Sequence, residues 1–553
     1  MRKKFLMAIA NAVALMTLAQ PVNAAPADGA NDPGAQLERN RELLERQRIA
    51  EQIAEDERNR GAKVENQDET TSDEQSPAVE FDLQKINFDE SEILTAEELD
   101  AIAQDYVGKS VTLQNLYEIV EKVNMLYQEK GFLTCRAFLP PQTIHAGEVQ
   151  IRLVEGKTAD VTISGNKHTR ESFIRNTFDL KQGEVTNTQK LNRKLQHFNG
   201  TSDAQARLLM KAGKNFGETD YEIVLYEPNN QMVMLYADNA GYETSGKYRE
   251  GIFYTYRSLT GRRDSLRANY LMSNGTKAWD FGYTMPIGHH GMKFDIGYSA
   301  NTTEIKKGEL SSLGVEGKAH SISAALRVPF YVNRFARYET GLQFVRQESK
   351  TDFGTKLDER VRWVDDKITR FTPYISFIHY GDKQLLYHRH SVAFSRRDDV
   401  GNTRNTAAIY KFDSFYQKRF DAGQTINFRF DGQITSKKSL GSSDRYYIGG
   451  VNSVRGYEES FMGGEKGLSG SLEYQVPVTK DKRLKVFSFF DFGYVSGGSV
   501  VDEKMICSTG IGLTANLKHL TANLTWGVPL RKHFEGQEHI KSSRLHFSVN
   551  GFF

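Results

Sequence analysis

The chain of 553 residues is too long for one compact core, and its formal net charge of +2 gives no support for a nucleic-acid partner. A mean hydropathy of −0.54 suits a soluble protein, but it equally suits a membrane β-barrel, in which lipid-facing apolar residues alternate with polar lumen residues. The 46 Gly, only 12 Pro, and 33 Phe with 25 Tyr fit long strands with aromatic girdles.

Residues 1–24 read as a secretory signal. Arg2, Lys3 and Lys4 form a basic start, an apolar stretch follows, and Val22-Asn23-Ala24 offers small-residue cleavage before Ala25. The stretch is shorter than the ~18 to 20 residues that a helical span needs. No other apolar run reaches that length, so no helical membrane span is predicted. Residues 33–60 are predicted to be a charged helix, entered through Asp32-Pro33 and free of proline and glycine from Gln36 to Arg60. Leu37, Leu44 and Ile53 give it only a thin apolar stripe. Such a helix belongs in solvent or in a polar, wet cavity. Residues 61–79 are nearly devoid of apolar side chains and are predicted to be a flexible linker.

Residues 80–156 change character. Phe81, Leu83 and Ile86 begin a strand, and Thr95 with Glu98 forms a capping box for a first helix. A second helix is predicted over 113–128, from Leu116, Ile119, Val120, Val123 and Leu126, with Gly131 at its end. Strands follow near 134–139 and 149–154, giving the order β-α-α-β-β. Residues 157–230 repeat it, with strands near 161–163, 206–211 and 221–226 and helices near 171–177 and 188–198. The two cysteines, Cys135 and Cys507, fall in different predicted domains and outside any CxxC spacing, so unpaired thiols are expected.

From 231 to 553 the period becomes two. Met292, Phe294, Ile296, Tyr298 and Ala300 alternate with Lys293, Asp295, Gly297 and Ser299. Ile426, Phe428, Phe430 and Ile434 alternate with Thr425, Asn427, Arg429, Asp431 and Gln433; Leu520, Ala522, Leu524 and Trp526 alternate with Thr521, Asn523 and Thr525. A strand puts such a set on one face. A soluble sandwich alternates too, but these runs are about ten residues long, as a tilted membrane crossing requires. Their polar faces include Arg, Lys, Asp and Asn. The chain ends on Phe553, in phase with Leu545, Phe547 and Val549. Only closure satisfies every backbone group in lipid. The predicted fold is therefore a transmembrane β-barrel of about sixteen antiparallel strands.

A charged helix, a linker, two β-α-α-β-β modules and a barrel, in that order, resemble the two-partner secretion transporter family, whose modules are called POTRA. Tyr127-Gln128-Glu129-Lys130-Gly131-Phe132, then Ala137-Phe138-Leu139-Pro140-Pro141-Gln142 and Gly147-Glu148-Val149-Gln150-Ile151, resemble its first POTRA. Val454, Arg455, Gly456 and Tyr457 resemble the tip of its long sixth surface loop, and Phe489, Asp491 and Gly493 the barrel-wall motif that receives it. The resemblance implies a plug helix at 33–60, POTRA modules at 80–156 and 157–230 in the periplasm, and a barrel at 231–553 in the outer membrane. It also implies that Arg455 pairs with Asp491 inside the lumen. The implied partners are a large secreted exoprotein with an N-terminal two-partner secretion domain, outer-membrane lipid, and the barrel assembly machinery through Phe553. Thr134, Arg136 and Phe138 are the candidate strand edge for catching the exoprotein by β-augmentation.

The sequence contains no P-loop, HExxH, GxSxG or metal-ligand cluster. No catalytic residue, metal or cofactor is assigned, and no enzyme activity is expected. An outer-membrane assembly factor is the alternative reading, but such relatives usually carry more modules and no plug. A passive porin needs neither feature.

Overall fold

The computed structural model describes residues 31–59, 64–66, 80–354, 360–399, 401, 403–497, 501–534 and 540–553. The predicted signal and most of the predicted linker lie outside the described residues.

Helix α1 (Pro33–Asn59) opens where the Ala35 N–H donates to Asp32 Oδ1 at 2.9 Å. With 27 residues it is about 40 Å long. Within the stretch predicted to be flexible lies a short strand, β1 (Val64–Asn66). The first module then runs through β2 (Glu80–Asp82), β3 (Lys85–Phe88), α2 (Ala96–Gln104), β4 (Ser110–Thr112), α3 (Leu113–Glu129), β5 (Cys135–Phe138) and β6 (Glu148–Glu155). The capping box is formed: Glu98 N–H donates to Thr95 Oγ1 and Thr95 N–H to Glu98 Oε2. Leu116, Ile119, Val123 and Tyr127 present one face of α3 to Val149 and Ile151, and all six are fully buried. Two details differ from the sequence reading. The first strand is split into β2 and β3, with β4 pairing antiparallel to β2. The strand expected at 134–139 is only four residues long, because Pro140-Pro141 removes the backbone donors that would extend it.

The second module comprises β7 (Lys157–Ser164), α4 (Glu171–Phe178), α5 (Thr188–Asn199), β8 (Gln205–Ala212) and β9 (Glu218–Tyr226). Its core joins Ile174, Phe178, Leu195, Leu208 and Ile223. The sheet orders are β3-β6-β5 in the first module and β1-β8-β9-β7 in the second. The linker strand β1 thus forms the outer strand of the second module, running parallel to β8 with Val64 opposite Leu208.

The described residues from 231 onward close a sixteen-stranded antiparallel barrel. Alternation divides each strand between two media. Ile296, Tyr298, Ile322, Phe428, Ile434, Leu524 and Trp526 are exposed on the outer wall, whereas Ser299, Asn301, Ser321, Asp431, Gln433 and Thr525 are buried toward the lumen. The first strand (Gln231–Asp238) and the last (Arg544–Phe552) join over Met234–Asp238. Phe553 extends this seam by exchanging backbone hydrogen bonds with Val233 at 2.9 and 3.1 Å.

One rim of the barrel carries the second module. Arg263 Nε donates to Asp203 at 2.8 Å, Ser258 Oγ to the His168 carbonyl at 2.8 Å, and Arg170 N–H to the Gly261 carbonyl at 2.8 Å. The opposite end is closed by segment 436–465, which leaves strand Thr425–Thr435 and turns into the lumen before strand Lys466–Pro477 begins.

Candidate functional site

The lumen holds two inserted elements, α1 and the segment 436–465. The segment carries a small hairpin, Tyr446–Ile448 against Met462–Gly464. Its tip turns on Gly449 and Gly450, both at positive φ (103° and 96°), where a side chain is strained. Gly456 meets a different demand: a Cβ there would lie 2.7 Å from the Pro529 nitrogen, so the tip touches the wall only because the side chain is missing. Gly493 on strand Leu484–Gly497 serves in the same way, its open face filled by Val454 and Ile448.

That contact brings Arg455 against Asp491. Arg455 Nε and Nη2 donate to the two carboxylate oxygens at 2.9 and 2.8 Å, and the Arg455 backbone N–H adds a third bond at 3.0 Å. Such a two-pronged, charge-assisted bond is the strongest pairing available to these groups. The Asp491 side chain is 0% exposed and that of Arg455 10%. Ser471 Oγ donates to Asp491 Oδ1 at 2.7 Å, Arg455 Nη1 donates to Glu473 at 2.7 Å, and the guanidinium lies 3.5 Å from the centre of the Phe489 ring. His546 Nε2 lies 2.7 Å from the Arg455 carbonyl; a carbonyl only accepts, so this nitrogen carries the proton. Tyr457 donates its hydroxyl to the Arg531 carbonyl at 2.7 Å and packs with Val454, Ile448, Met462 and Ile506. The structure thus brings together Val454, Arg455, Gly456, Tyr457, Phe489, Asp491 and Gly493. Sequence reading missed Glu473, Ser471 and His546. Each is a polar residue at an inward strand position, which parity signals without naming a partner.

Helix α1 lies lengthwise in the lumen. Its N-terminus sits at the end remote from the modules: Asn301 Nδ2 donates to the Pro33 carbonyl at 3.1 Å, Gln347 Nε2 to the Gly34 carbonyl at 3.2 Å, and Ser442 Oγ to Asp32 at 2.6 Å. A Cβ on Gly34 would come within 2.8 Å of both Ser443 and Gln347. Down its length α1 forms ion pairs with the wall: Glu38–Arg370 at 2.8 Å, Glu42–Lys411 at 2.8 Å, Glu45–Arg389 at 2.6 Å and Glu57–Arg419 at 3.0 Å. Near its C-terminus Tyr380 donates to Asp56 at 2.6 Å, with Arg337 3.6 Å away. The apolar contribution is small, mainly Ile49 and Ile53 against Ile378, Leu385 and Tyr387. A cavity of about 370 Å³ remains beside the helix, lined by charged side chains including Arg46, Arg267, Arg327 and Asp413. Arg39 joins the two inserted elements, donating to Glu459 of the segment at 2.8 Å.

The candidate edge at β5 is placed differently from expectation. Thr134 stands outside the strand and donates to the Gly156 carbonyl at 3.4 Å. Arg136 is exposed, and Phe138 packs edge-on against Phe216 of the second module with centroids 6.2 Å apart. The outward backbone groups of β5 are already used. The Ala137 N–H donates to Asn124 Oδ1 at 2.6 Å, the Ala137 carbonyl accepts from Asn124 Nδ2 at 3.2 Å, and the Cys135 N–H reaches the Phe132 carbonyl at 3.3 Å. Backbone direction alternates, so Arg136 and Phe138 turn their own groups inward to β6. An α3 side chain therefore closes this edge.

A closed membrane barrel, plugged by a charged helix, locked by an inward loop and preceded by two α/β modules, defines a POTRA-bearing outer-membrane transporter. The comparisons with known proteins agree. The family described as "Haemolysin secretion/activation protein ShlB/FhaC/HecB" matches residues 217–515, and the chain belongs to it. The "POTRA domain, ShlB-type" matches residues 81–156, and a further POTRA family matches 157–201. The chain is 25% identical over 486 residues to the heme/hemopexin transporter protein HuxB of Haemophilus influenzae strain 86-028NP, covering 82% of this chain and 84% of that protein. It is 22% identical over 490 residues to the outer membrane transporter CdiB of Dickeya dadantii, covering 81% and 83%. The solved structure of CdiB from Escherichia coli has the same fold, with a TM-score of 0.70 at 17% identity over 95% of this chain and 99% of that one. The protein is thus a two-partner secretion transporter of the outer membrane, its POTRA modules are periplasmic, and it works with a large exoprotein.

Proposed function

We propose that the exoprotein is received unfolded by the POTRA modules and crosses the lumen once α1 has left it, while the loop stays locked to the wall by Arg455 and Asp491. The observation that carries this reading is a contrast in solvation. The Arg455–Asp491 pair is desolvated, bidentate and satisfied on every side. Removing one partner of such a pair costs about 3–5 kcal/mol, because the other charge is left buried. Glu38–Arg370 and Asp56–Arg337 are buried, but three other pairs that hold α1 are wet on at least one side: side-chain exposure is 48% for Glu42, 34% for Glu45 and 53% for Arg419. Pairs of that kind contribute roughly 0–1 kcal/mol each. One inserted element is built to stay and the other to leave. The chain is assigned no chemical step: it supplies a channel, and folding of the exoprotein outside supplies the direction. The outer apolar belt contacts lipid, and the outward ring of Phe553 is offered to the barrel assembly machinery.

The test is Arg455→Ala, measuring exoprotein release alongside heat-modifiable gel mobility. Release is expected to fall about tenfold or more, in line with a loss of several kcal/mol at the lock, while the barrel still inserts. Unchanged release would contradict the role given to the lock.

A further inference from the structure

The two modules close their outer strands in the same way, up to a point. In the second module the Ala206 N–H donates to Asn199 Oδ1 at 2.7 Å, and the Ala206 carbonyl accepts from Asn199 Nδ2 at 3.0 Å. Asn199 at the end of α5 thus does for β8 what Asn124 of α3 does for β5. But β5 has four residues and β8 has eight. Two and four residues beyond Ala206, Leu208 and Met210 also point their backbone groups outward, and among the described residues no helix side chain caps them. Their partner is the linker strand β1. This edge is therefore a working strand-addition site already occupied by an extended, parallel segment, with Val64 packed on the module's core.

The occupant is attached to the plug. Only four residues, 60–63, join the end of α1 to the start of β1. Fully extended, that tether reaches at most about 18 Å, so with β1 in place the end of α1 can travel at most about 36 Å. Complete axial withdrawal of a 27-residue helix needs about 40 Å. An intact plug cannot clear the lumen while β1 stays on β8.

We propose that β1 is a clasp: an extended segment of the exoprotein adds to β8, displaces β1, and so releases α1. The docking edge for cargo is then β8 of the second module rather than β5 of the first. The occupant it accepts is a strand running parallel to β8 that places an apolar side chain where Val64 now sits. The inference rests on the secretion reading above, but its test uses no exoprotein, so the two fail separately.

The test is single-channel recording of the full-length protein in planar bilayers, with Glu65→Cys and Leu209→Cys combined. These positions are register partners on adjacent strands about 4.8 Å apart, within disulfide reach. Under oxidation, large openings are expected to fall about tenfold or more relative to the same protein after reduction. The wild type, with Cys135 and Cys507 both buried, is expected to be indifferent to the oxidant. A synthetic peptide copying residues 60–70, added on the module side, is expected to raise the opening frequency of the wild type severalfold. The same peptide with proline at the position of Glu65 is expected to have no effect. Openings undiminished by the cross-link would overturn the clasp, as would a peptide without effect on the wild type. Failure of the disulfide to form would contradict the pairing itself.

Discussion

Asp491 shows what one residue decides in this lumen. Its carboxylate is fully enclosed and accepts from Arg455 through side chain and backbone, and from Ser471 and Ser508. Charge alone does not satisfy it; a lysine reaches one oxygen where arginine reaches two. Arg455→Lys is therefore expected to give an intermediate loss of release rather than rescue. Gly456→Val should be as damaging as Arg455→Ala, because the added carbons meet the Pro529 backbone. Release at the wild-type level from the Gly456→Val variant would contradict the close approach of loop and wall. Cys135 makes a second prediction at this scale. Burial pushes its thiol up to about 11, leaving almost no thiolate at neutral pH. A thiol reagent is expected to label it in the denatured chain and hardly at all in the folded one. Rapid labelling of the native first module would show that its core opens.

At the scale of elements, α1 behaves as a surface helix placed indoors. Glu42, Glu45 and Glu57 face wall charges across partly wet gaps, so its seating depends in part on ionic strength. Raising salt from about 0.1 to 1 M shortens the screening length from about 10 to 3 Å. The fraction of time the wild-type channel is open is expected to rise over that range, with the Arg455–Asp491 contact little affected because water does not reach it. An open fraction independent of salt would mean that α1 is held by something other than these pairs. Gly34→Leu tests the tip separately. The new side chain has no room beside Ser443 and Gln347, so it is expected to unseat the helix and raise conductance without harming barrel insertion.

At the scale of the molecule, the sequence revealed what repeats and hid what happens once. The barrel was legible because Ile296, Tyr298, Ser299 and Asn301 obey a period of two that one medium on each side enforces. The lock was legible because Arg455-Gly456 and Asp491 stand in motifs. The partners of α1 were not, since Glu45 meets Arg389 and Glu38 meets Arg370 across more than 300 residues of chain. Nor was β1, whose three residues lie in a polar tract that composition alone assigns to flexible chain, and whose order comes from the neighbouring edge of β8. Asn124 and Asn199 read as ordinary polar helix residues. Only the fold shows that Asn124 closes the β5 edge, and that Asn199 caps the start of β8 and leaves the rest of that strand to β1.

Secretion as proposed needs a barrel whose wet lumen is filled at rest by a removable helix. The most direct measurement is bilayer conductance of the intact protein against a variant lacking residues 33–59, both shown by heat-modifiable mobility to hold a closed barrel. The intact protein is expected to stay mostly shut with brief large openings, and the deletion variant to conduct steadily at the large level. Equal conductance from the two would contradict the account.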